Sequence, residues 1–234
     1  MLEASIRARL MEKGAVLVGF ADMSTVTDCI DGLGAQGMYK AVSFAVPVSP
    51  VIIHGIASGP TPEYYGEYVR LNALLDALGA ETEELLVHSG FLAQARTRAR
   101  VSAWDENYMT ALPHKTAATL AGLGWIGKSG LLVTREYGSA VRITTVLTNA
   151  PLQCGDPVTR SLCGNCKICM EACPAGAIKG VPWEPLSPRE ERVDVSLCAA
   201  KCSELMGVYG IDALICGKCI QSCPHTAKYL RRCQ

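Results

Sequence analysis

Apolar and polar positions along the first 150 residues alternate between a helical period and a strand period. Residues 2–13 are typical of an amphipathic helix, whereas 15–20 form a short β-branched run. The run at 40–48 is apolar and closed by prolines, which predicts a buried strand. The same patterns predict a helix at 113–121 and strands at 91–101, 130–134 and 140–148.

The clearest element is a long helix that begins at Pro62. Thr61 suits its N-cap, and proline is favoured at the first helical position. Apolar residues then follow at spacings of four and three to about His88. Helices mixed with strands in this way indicate a layered α/β (α+β) domain over residues 1–150.

The texture of the chain changes after Thr148, where proline, glycine and cysteine become frequent and long periodic elements end. We place a domain boundary near Pro151, which leaves residues 151–234 as a second domain. Residues 180–188 form a proline-rich connector within it.

The number and clustering of the cysteines are the strongest indication of function. The chain has 234 residues and 12 cysteines, and 11 of these lie between Cys154 and Cys233. A chain of this length can bury a core without covalent cross-links, so clustered cysteines point to chemistry. The N-terminus shows no signal-peptide pattern and no apolar run predicts a membrane span, so we expect a reducing cytoplasm, where such cysteines more often serve metals than disulfides. Lys plus Arg (22) equals Asp plus Glu (22), so no global basic field indicates nucleic acid.

The first cysteine run is that of bacterial ferredoxins. Its pattern is Cys-x2-Cys-x2-Cys-x3-Cys-Pro, and its members are Cys163, Cys166, Cys169, Cys173 and Pro174. In such runs three thiolates bind one [4Fe–4S] cluster and the fourth reaches the other cluster. A ferredoxin-like domain with two clusters is the prediction.

A second run, Cys216-x2-Cys219-x3-Cys223-Pro224, lacks its first cysteine because Ala213 occupies that position. Two clusters need eight ligands, so the eighth must come from Cys198 or Cys202, and we favour Cys198. The crossed arrangement gives cluster one Cys163, Cys166, Cys169 and Cys223, and cluster two Cys173, Cys198, Cys216 and Cys219. Zinc and disulfides are the alternatives, but zinc sites pair two short Cys-x-x-Cys units. Cys29, Cys154 and Cys233 match no ligand pattern.

A glycine motif at 122–129, GLGWIGKS, satisfies two phosphate-binding patterns at once. Both patterns require a strand before the glycines and a helix after them, because the helix N-terminus holds the phosphate. Here the predicted order is reversed, which argues against a P-loop or a dinucleotide fold. A glycine that ends the preceding helix is one explanation, and a polar or anionic cofactor near Lys128 is another.

Residues 112–138, LPHKTAATLAGLGWIGKSGLLVTREYG, together with the two cysteine runs, resemble the epoxyqueuosine reductase family. Its more distant relatives are the corrinoid reductive dehalogenases. The resemblance is specific from about residue 112 to 225, roughly half of the chain. The sequence does not show the helical-repeat region that the epoxyqueuosine reductases carry after the clusters.

The resemblance implies a base-off cobalamin held between a corrinoid-binding-type α/β domain and the two-cluster domain, with the clusters passing single electrons to cobalt. It also implies which residues border the corrinoid: His114, Lys115, Gly122, Leu123, Gly124, Trp125, Gly127 and Lys128. In the family pattern the catalytic aspartate falls at Tyr108 by an ungapped count, and Asp105 could replace it only with a three-residue shift. This departure and the missing repeat region argue against epoxyqueuosine and tRNA as substrate.

Three arginines alternate with small residues in the strand predicted at 91–101. On a strand Arg96, Arg98 and Arg100 would share one face, either solvated or turned toward a phosphate group.

The sequence therefore predicts a cytoplasmic, cobalamin-dependent iron–sulfur reductase served by a low-potential donor such as a ferredoxin or flavodoxin. The alternative is an electron carrier, ferredoxin-like or acting on a separate corrinoid protein, without a small-molecule substrate of its own.

Overall fold

The computed structural model of the chain describes residues 2–101 and 108–233. Its contacts divide into two compact units, each made of three stretches. Unit 1 comprises Met1–Pro47, Leu71–Leu123 and Arg142–Val158, and unit 2 comprises Val48–Arg70, Gly124–Val141 and Thr159–Gln234. Unit 1 runs past Pro151 and unit 2 takes two earlier stretches, so the contacts do not follow a single cut there. The division into a corrinoid domain and a cluster domain stays a prediction.

The mixed α/β class is confirmed. The helices are α1 Leu2–Glu12, α2 Thr27–Asp31, α3 Pro50–Gly55, α4 Pro62–His88, α5 Arg98–Val101, α6 His114–Leu120, α7 Ile168–Glu171, α8 Val195–Tyr209, α9 Lys218–Gln221 and α10 Pro224–Arg232. The strands are β1 Leu17–Asp22, β2 Lys40–Pro47, β3 Ala93–Ala95, β4 Trp125–Ile126, β5 Leu132–Val133 and β6 Val141–Thr148. Within the described ranges no helix is both long and apolar enough to cross a membrane.

Unit 1 is built on a four-stranded sheet in the order β1-β2-β6-β3. β1 pairs with β2 in antiparallel fashion, with Leu17 opposite Ala45, and β3 pairs antiparallel with β6. Helix α6 packs on β1 and β2, and small residues such as Ala117 and Ala121 let it lie close to the sheet. The buried residues around this helix form one core cluster.

The predicted long helix agrees with the structure at both ends. Thr61 caps it as expected, because its Oγ1 accepts a hydrogen bond from the Tyr64 backbone N–H at 3.2 Å. The helix ends at His88, whose Nδ1 lies 2.7 Å from the Glu84 carbonyl oxygen.

The strand predicted at 91–101 is wrong over most of its length. Only Ala93–Ala95 pair with β6, and the chain then turns into α5. The three arginines therefore do not share a strand face. Arg98 and Arg100 form ion pairs with Asp76 and Glu83 of α4, and these contacts favour the helical turn over a continued edge strand. Arg96 is buried.

In unit 2, contacts around α10 fix the chain immediately after Cys223. Pro224 occupies the first turn of this helix, and Thr226 accepts a hydrogen bond from the Ser139 backbone N–H at 3.1 Å. The Tyr229 hydroxyl donates to the Val48 carbonyl at 3.0 Å. A side chain on Gly138 would collide with the backbone of Thr226, so glycine is required for this approach.

Candidate metal centre

The first cysteine run forms a tight loop that leads into a one-turn helix. The Cys166 N–H donates to the Cys163 carbonyl at 3.1 Å, which folds residues 163–166 into a turn. Cys169 lies within α7, and Cys173 follows that helix directly before Pro174. The spacing of the run therefore matches a loop followed by a single helical turn.

The second run repeats this design. Cys216 precedes Gly217, which has a φ of 81° and is the N-cap of α9, and Cys219 lies within that helix. Cys223 is the residue just before α10. Helices α7 and α9 pack against each other, so the two runs meet inside unit 2.

A cavity of about 100 Å³ opens where the runs meet. Five cysteines line it, and they come from both runs. The remaining lining residues are Gly127, Lys128, Ser129, Val133, Pro224 and His225, and the cysteines are Cys163, Cys166, Cys169, Cys219 and Cys223. Such a cavity offers thiolate sulfurs, the donor set of an iron–sulfur cluster.

The pKa shifts show which thiols are neighbours. Burial and, after it, the charges of the nearby Cys163, Cys223 and Cys166 together raise the pKa of Cys169 to about 11. Burial also raises the pKa of Cys219, and there the contributing neighbours are led by Cys198 and Cys216. Thiols crowded in this way ionise with difficulty alone, whereas a bound metal would hold them as thiolates.

Two cysteines of α8 compete for the eighth ligand position. Cys198 and Cys202 lie one turn apart on this helix, which Asp194 caps by accepting the Leu197 N–H at 3.0 Å. The hydrogen bond between them lowers the pKa of Cys198 to about 7 and raises that of Cys202. Cys202 is buried and also lies near Cys216, so the preference for Cys198 stays a prediction.

No group of three or more His, Cys, Asp or Glu side chains in the described ranges is spaced to hold one metal ion. A [4Fe–4S] cube binds its thiolates through separate irons, so its ligands need not converge on a single point. Of the cysteines without a predicted role, Cys29 and Cys233 are exposed and Cys154 is half-buried.

The glycine motif ends a helix, which is one of the two explanations that the sequence left open. Gly122, with φ of 76°, follows α6, and its N–H donates to Thr119 at 3.1 Å. The next N–H, that of Leu123, donates to Ala118 at 3.0 Å. These two bonds form a Schellman motif, in which glycine takes the left-handed position. Strand β4 lies within the motif, strand β5 comes after it, and no helix begins directly behind the glycines, so residues 122–133 do not have the geometry of a P-loop or dinucleotide site.

The rest of the motif serves the first cysteine run. Trp125 is 1% exposed, and its indole N–H donates to the Cys163 sulfur at 3.4 Å. Lys128 is 6% exposed, and its ammonium donates to the carbonyls of Gly164 and Cys166 at 2.8 and 2.9 Å. Both side chains thus hold the loop that carries the first cysteines.

The other residues predicted to border a corrinoid also have contacts within their own unit. His114 is half-buried, with Nδ1 3.1 Å from the Thr145 hydroxyl. A side chain on Gly124 would collide with the Val133 carbonyl, and one on Gly127 would press on the Val133 side chain. Leu123 packs against the core of unit 1, and Lys115 is half-buried.

Of the two predicted catalytic residues, only one lies in the described part of the chain. Tyr108 is 38% exposed and has φ of 57°, an uncommon backbone conformation for a side chain of this size. Asp105 lies outside the described residues. The predicted proton-donor role of each stays a prediction.

Sequence reasoning missed His225, which stands alone in the sequence. Its ring lies edge-on to Trp125 with centroids 4.9 Å apart, and it lines the cysteine cavity. Burial and the charges of Lys228 and Arg135 lower its pKa. Its position directly after Cys223-Pro224 was the available signal, since that pair places the next residue beside the second run.

Comparison with known proteins supports an iron–sulfur site and shows which proteins the chain is similar to. The 4Fe-4S binding domain family matches residues 157–179. Over 115 residues the chain is 33% identical to an epoxyqueuosine reductase of Listeria monocytogenes, covering 49% of this chain and 30% of that protein. The chain is thus similar to epoxyqueuosine reductases over about half of its own length. A Synechococcus member of the family is 50% identical over 70 residues, covering 30% of this chain and 22% of that protein. The chain spans less than a third of the length of these relatives.

Solved structures share the fold over almost the whole chain. A catabolic reductive dehalogenase in complex with 3-bromo-4-hydroxybenzoic acid aligns with a TM-score of 0.65 at 19% identity, covering 97% of this chain and 32% of that one. An epoxyqueuosine reductase aligns with a TM-score of 0.56 at 18% identity, covering 97% and 66%. At sequence identities of 18–19%, this structural similarity shows a shared fold alone.

Proposed function

We propose that this relative of the epoxyqueuosine reductases is an iron–sulfur oxidoreductase in which two [4Fe–4S] clusters deliver electrons to a cobalamin. The observation that carries the proposal is the meeting of two Cys-Pro-terminated runs in unit 2, with five of their cysteines around one cavity. The assigned ligands are Cys163, Cys166, Cys169 and Cys223 for cluster one, and Cys173, Cys198, Cys216 and Cys219 for cluster two.

The neighbours of each thiol support this wiring. Cys169 has Cys163, Cys166 and Cys223 around it, as cluster one requires. Cys216 has Cys198 and Cys173 near it, and these three belong to cluster two. The packing of α7 on α9 brings the two runs together, which supports the proposed crossing of the last cysteine of each run to the other cluster.

The protein's own residues orient and shield the clusters. Trp125 directs an N–H at a ligand sulfur, which stabilises the reduced and more negative state of a cluster. Lys128 fixes the backbone at Gly164 and Cys166 through its two hydrogen bonds, and its charged side chain is buried. Both effects bear on redox potential and on exclusion of water, the levers that a protein has over a cluster.

The cobalamin part of the proposal rests on similarity to known proteins. One solved structure of this fold, at 19% identity and a TM-score of 0.66, is described as suggesting a mechanism for B12-dependent dehalogenation. The glycine motif itself leaves no open space for a cofactor. The Lys128 ammonium is bonded to the chain's own carbonyls, and atoms of Val133 fill the space beside Gly124 and Gly127. A bound cobalamin would supply a cobalt centre that accepts single electrons, and a ferredoxin or flavodoxin would supply them to the clusters.

The experiment is a binding measurement on anaerobically reconstituted protein. Hydroxocobalamin is added, free cofactor is removed by gel filtration, and the absorbance of the protein peak is recorded. We expect co-elution with the absorbance shift of the base-off form. Failure to co-elute, in protein that retains its clusters, would contradict the cobalamin part of the proposal and would leave an electron carrier as the function.

A further inference from the structure

Helix α10 in unit 2 has one buried face and one charged face. Thr226, Tyr229 and Leu230 form the buried face and are at most 6% exposed. The other face carries three exposed cations at spacings of three and four residues, namely Lys228, Arg231 and Arg232. Residues three and four apart are neighbours on a helix surface, with about 5–6 Å between their Cβ atoms. The three cations therefore lie together in one row.

The turn at 134–138 adds a fourth cation to this row. The Arg232 guanidinium donates to the backbone carbonyl of Glu136, and the rings of Tyr137 and Tyr229 lie 5.0 Å apart. These two contacts hold the turn against α10. Arg135 is exposed and directly precedes Glu136, so it lies one residue from the contact with Arg232.

The four side chains define what we call the α10 basic face: Arg135, Lys228, Arg231 and Arg232. In the part of the chain that the structure describes, none of them forms an ion pair with a carboxylate. Residues 135–138 and 224–233 contain one carboxylate, that of Glu136. The whole chain balances 22 Lys and Arg against 22 Asp and Glu, so the excess of positive charge is local. Such a surface attracts a negatively charged partner.

The α10 basic face begins beside the cysteine cavity. His225 lines that cavity and lies three residues before Lys228, in the same row of the helix. Its ring packs edge-on to Trp125, whose indole N–H donates to the Cys163 sulfur at 3.4 Å. Cys223, a proposed ligand of cluster one, is the residue directly before α10. A partner docked on this face would therefore lie close to cluster one.

We propose that the α10 basic face is the docking surface for the electron donor, a small electron-transfer protein with acidic side chains around its own redox centre. The inference rests on the proposed function, because it assigns a surface to the protein that reduces the clusters. In each encounter the donor gives one electron to an oxidised cluster and is itself oxidised by one electron, and no bond is made or broken.

The size of the surface suits a transient complex of this kind. Weak electron-transfer complexes bury less than about 1,200 Å² in total, which one helix face and one turn can supply. Charges at the edge of an interface mainly raise the association rate, which serves a donor that must leave after each electron. A nucleic acid is the other polyanion that a basic face attracts, but the position beside the cysteine cavity favours a redox partner.

The test measures electron transfer into the anaerobically reconstituted protein by stopped flow. Reduced ferredoxin and reduced flavodoxin are each mixed with the oxidised protein at several ionic strengths, and bleaching of the cluster absorbance gives the second-order rate constant. The test variant carries Lys228→Glu and Arg231→Glu. The control carries Arg9→Glu and Lys13→Glu, which make the same change in net charge on exposed residues of unit 1. Iron content and unfolding midpoint are checked for each protein.

We expect at least one donor to reduce the wild type at a rate that falls as ionic strength rises, because salt screens the attraction. At low ionic strength the test variant should react at least about tenfold more slowly, and its rate should no longer fall with salt. The control should behave as the wild type does. Dithionite, a small reductant that needs no docking surface, should reduce the clusters of all three proteins to the same extent.

Three results would overturn the inference while leaving the clusters in place. They are equal donor rates in the test variant and the wild type, equal slowing in the test variant and the control, and no transfer from either donor to clusters that dithionite reduces. An RNA stem-loop that binds the wild type but not the test variant, with donor rates unchanged, would assign the face to nucleic acid instead. Protein without any cluster absorbance after reconstitution would contradict the proposed function itself.

Discussion

Lys128 provides the sharpest test of how the glycine motif acts, because its ammonium donates two hydrogen bonds to the loop that carries Cys163 and Cys166, the proposed ligands of cluster one. Lys128→Met keeps the length of the side chain and removes both bonds, those to Gly164 at 2.8 Å and to Cys166 at 2.9 Å. A hydrogen bond to a charged group contributes about 1.5–3 kcal/mol, and relief of the buried ammonium's desolvation offsets part of the loss. A net cost of about 3 kcal/mol to the closed loop follows.

The expected consequence is faster loss of one cluster. A change of about 3 kcal/mol raises the open fraction of the loop roughly 100-fold, since every 1.4 kcal/mol is tenfold. Iron release to a chelator under anaerobic conditions should therefore become roughly 100-fold faster for half of the iron, and remain unchanged for the other half. Lys167→Met is the matched control, since Lys167 lies on the same loop and is exposed.

Two results would refute this reasoning. Equal release rates in Lys128→Met and wild type would show that the ammonium does not hold the loop. Uniform acceleration of all the iron would show that Lys128 supports the fold of unit 2 and not one cluster. Faster release in Lys167→Met would show that any charge lost from the loop has the same effect.

Three further predictions concern Trp125, the two cysteines of α8 and His114. Trp125→Phe removes the N–H that stabilises the reduced cluster, so the potential of one cluster should fall by about 40 mV, the equivalent of about 1 kcal/mol, in an EPR-monitored redox titration; an unchanged potential would contradict a role for this bond. Serine in place of Cys198 and, separately, of Cys202 should remove one cluster's iron only for the true ligand, and equal loss from both would refute the assignment. Because the pKa of His114 is held at about 4 against an ordinary value near 6.5, the unfolded state binds more protons between these values. Stability should therefore fall as pH drops from about 6.5 to about 4, by at most roughly 3 kcal/mol, and urea midpoints of His114→Gln should show a smaller fall; equal falls in both proteins would contradict the shift.

Local signals made the long helix predictable at both ends. Thr61 and Pro62 supply the cap and first turn, and the apolar spacing continues without a break to His88. The strand predicted at 91–101 failed for a non-local reason. Asp76 and Glu83 of α4 pair with Arg98 and Arg100, and partners that distant in sequence leave no mark in the alternation of apolar residues.

The glycine motif shows a similar limit. The predicted order of its elements argued against a phosphate loop, and the hydrogen bonds after Gly122 agree with a helix stop. What the lysine binds could not be derived, because the carbonyls of Gly164 and Cys166 are nearly forty positions away. Spacing alone likewise leaves open which α8 cysteine is the ligand, since Cys198 and Cys202 lie one turn apart on one helix.

The central claim is that the cysteine runs hold two [4Fe–4S] clusters, and it is tested most directly by iron and acid-labile sulfide analysis of the anaerobically reconstituted protein. The account predicts about eight irons and eight sulfides per chain, and about four of each in a variant carrying both Cys216→Ser and Cys219→Ser. Four irons in the wild type, or a stoichiometric content of zinc in place of iron and sulfide, would contradict it.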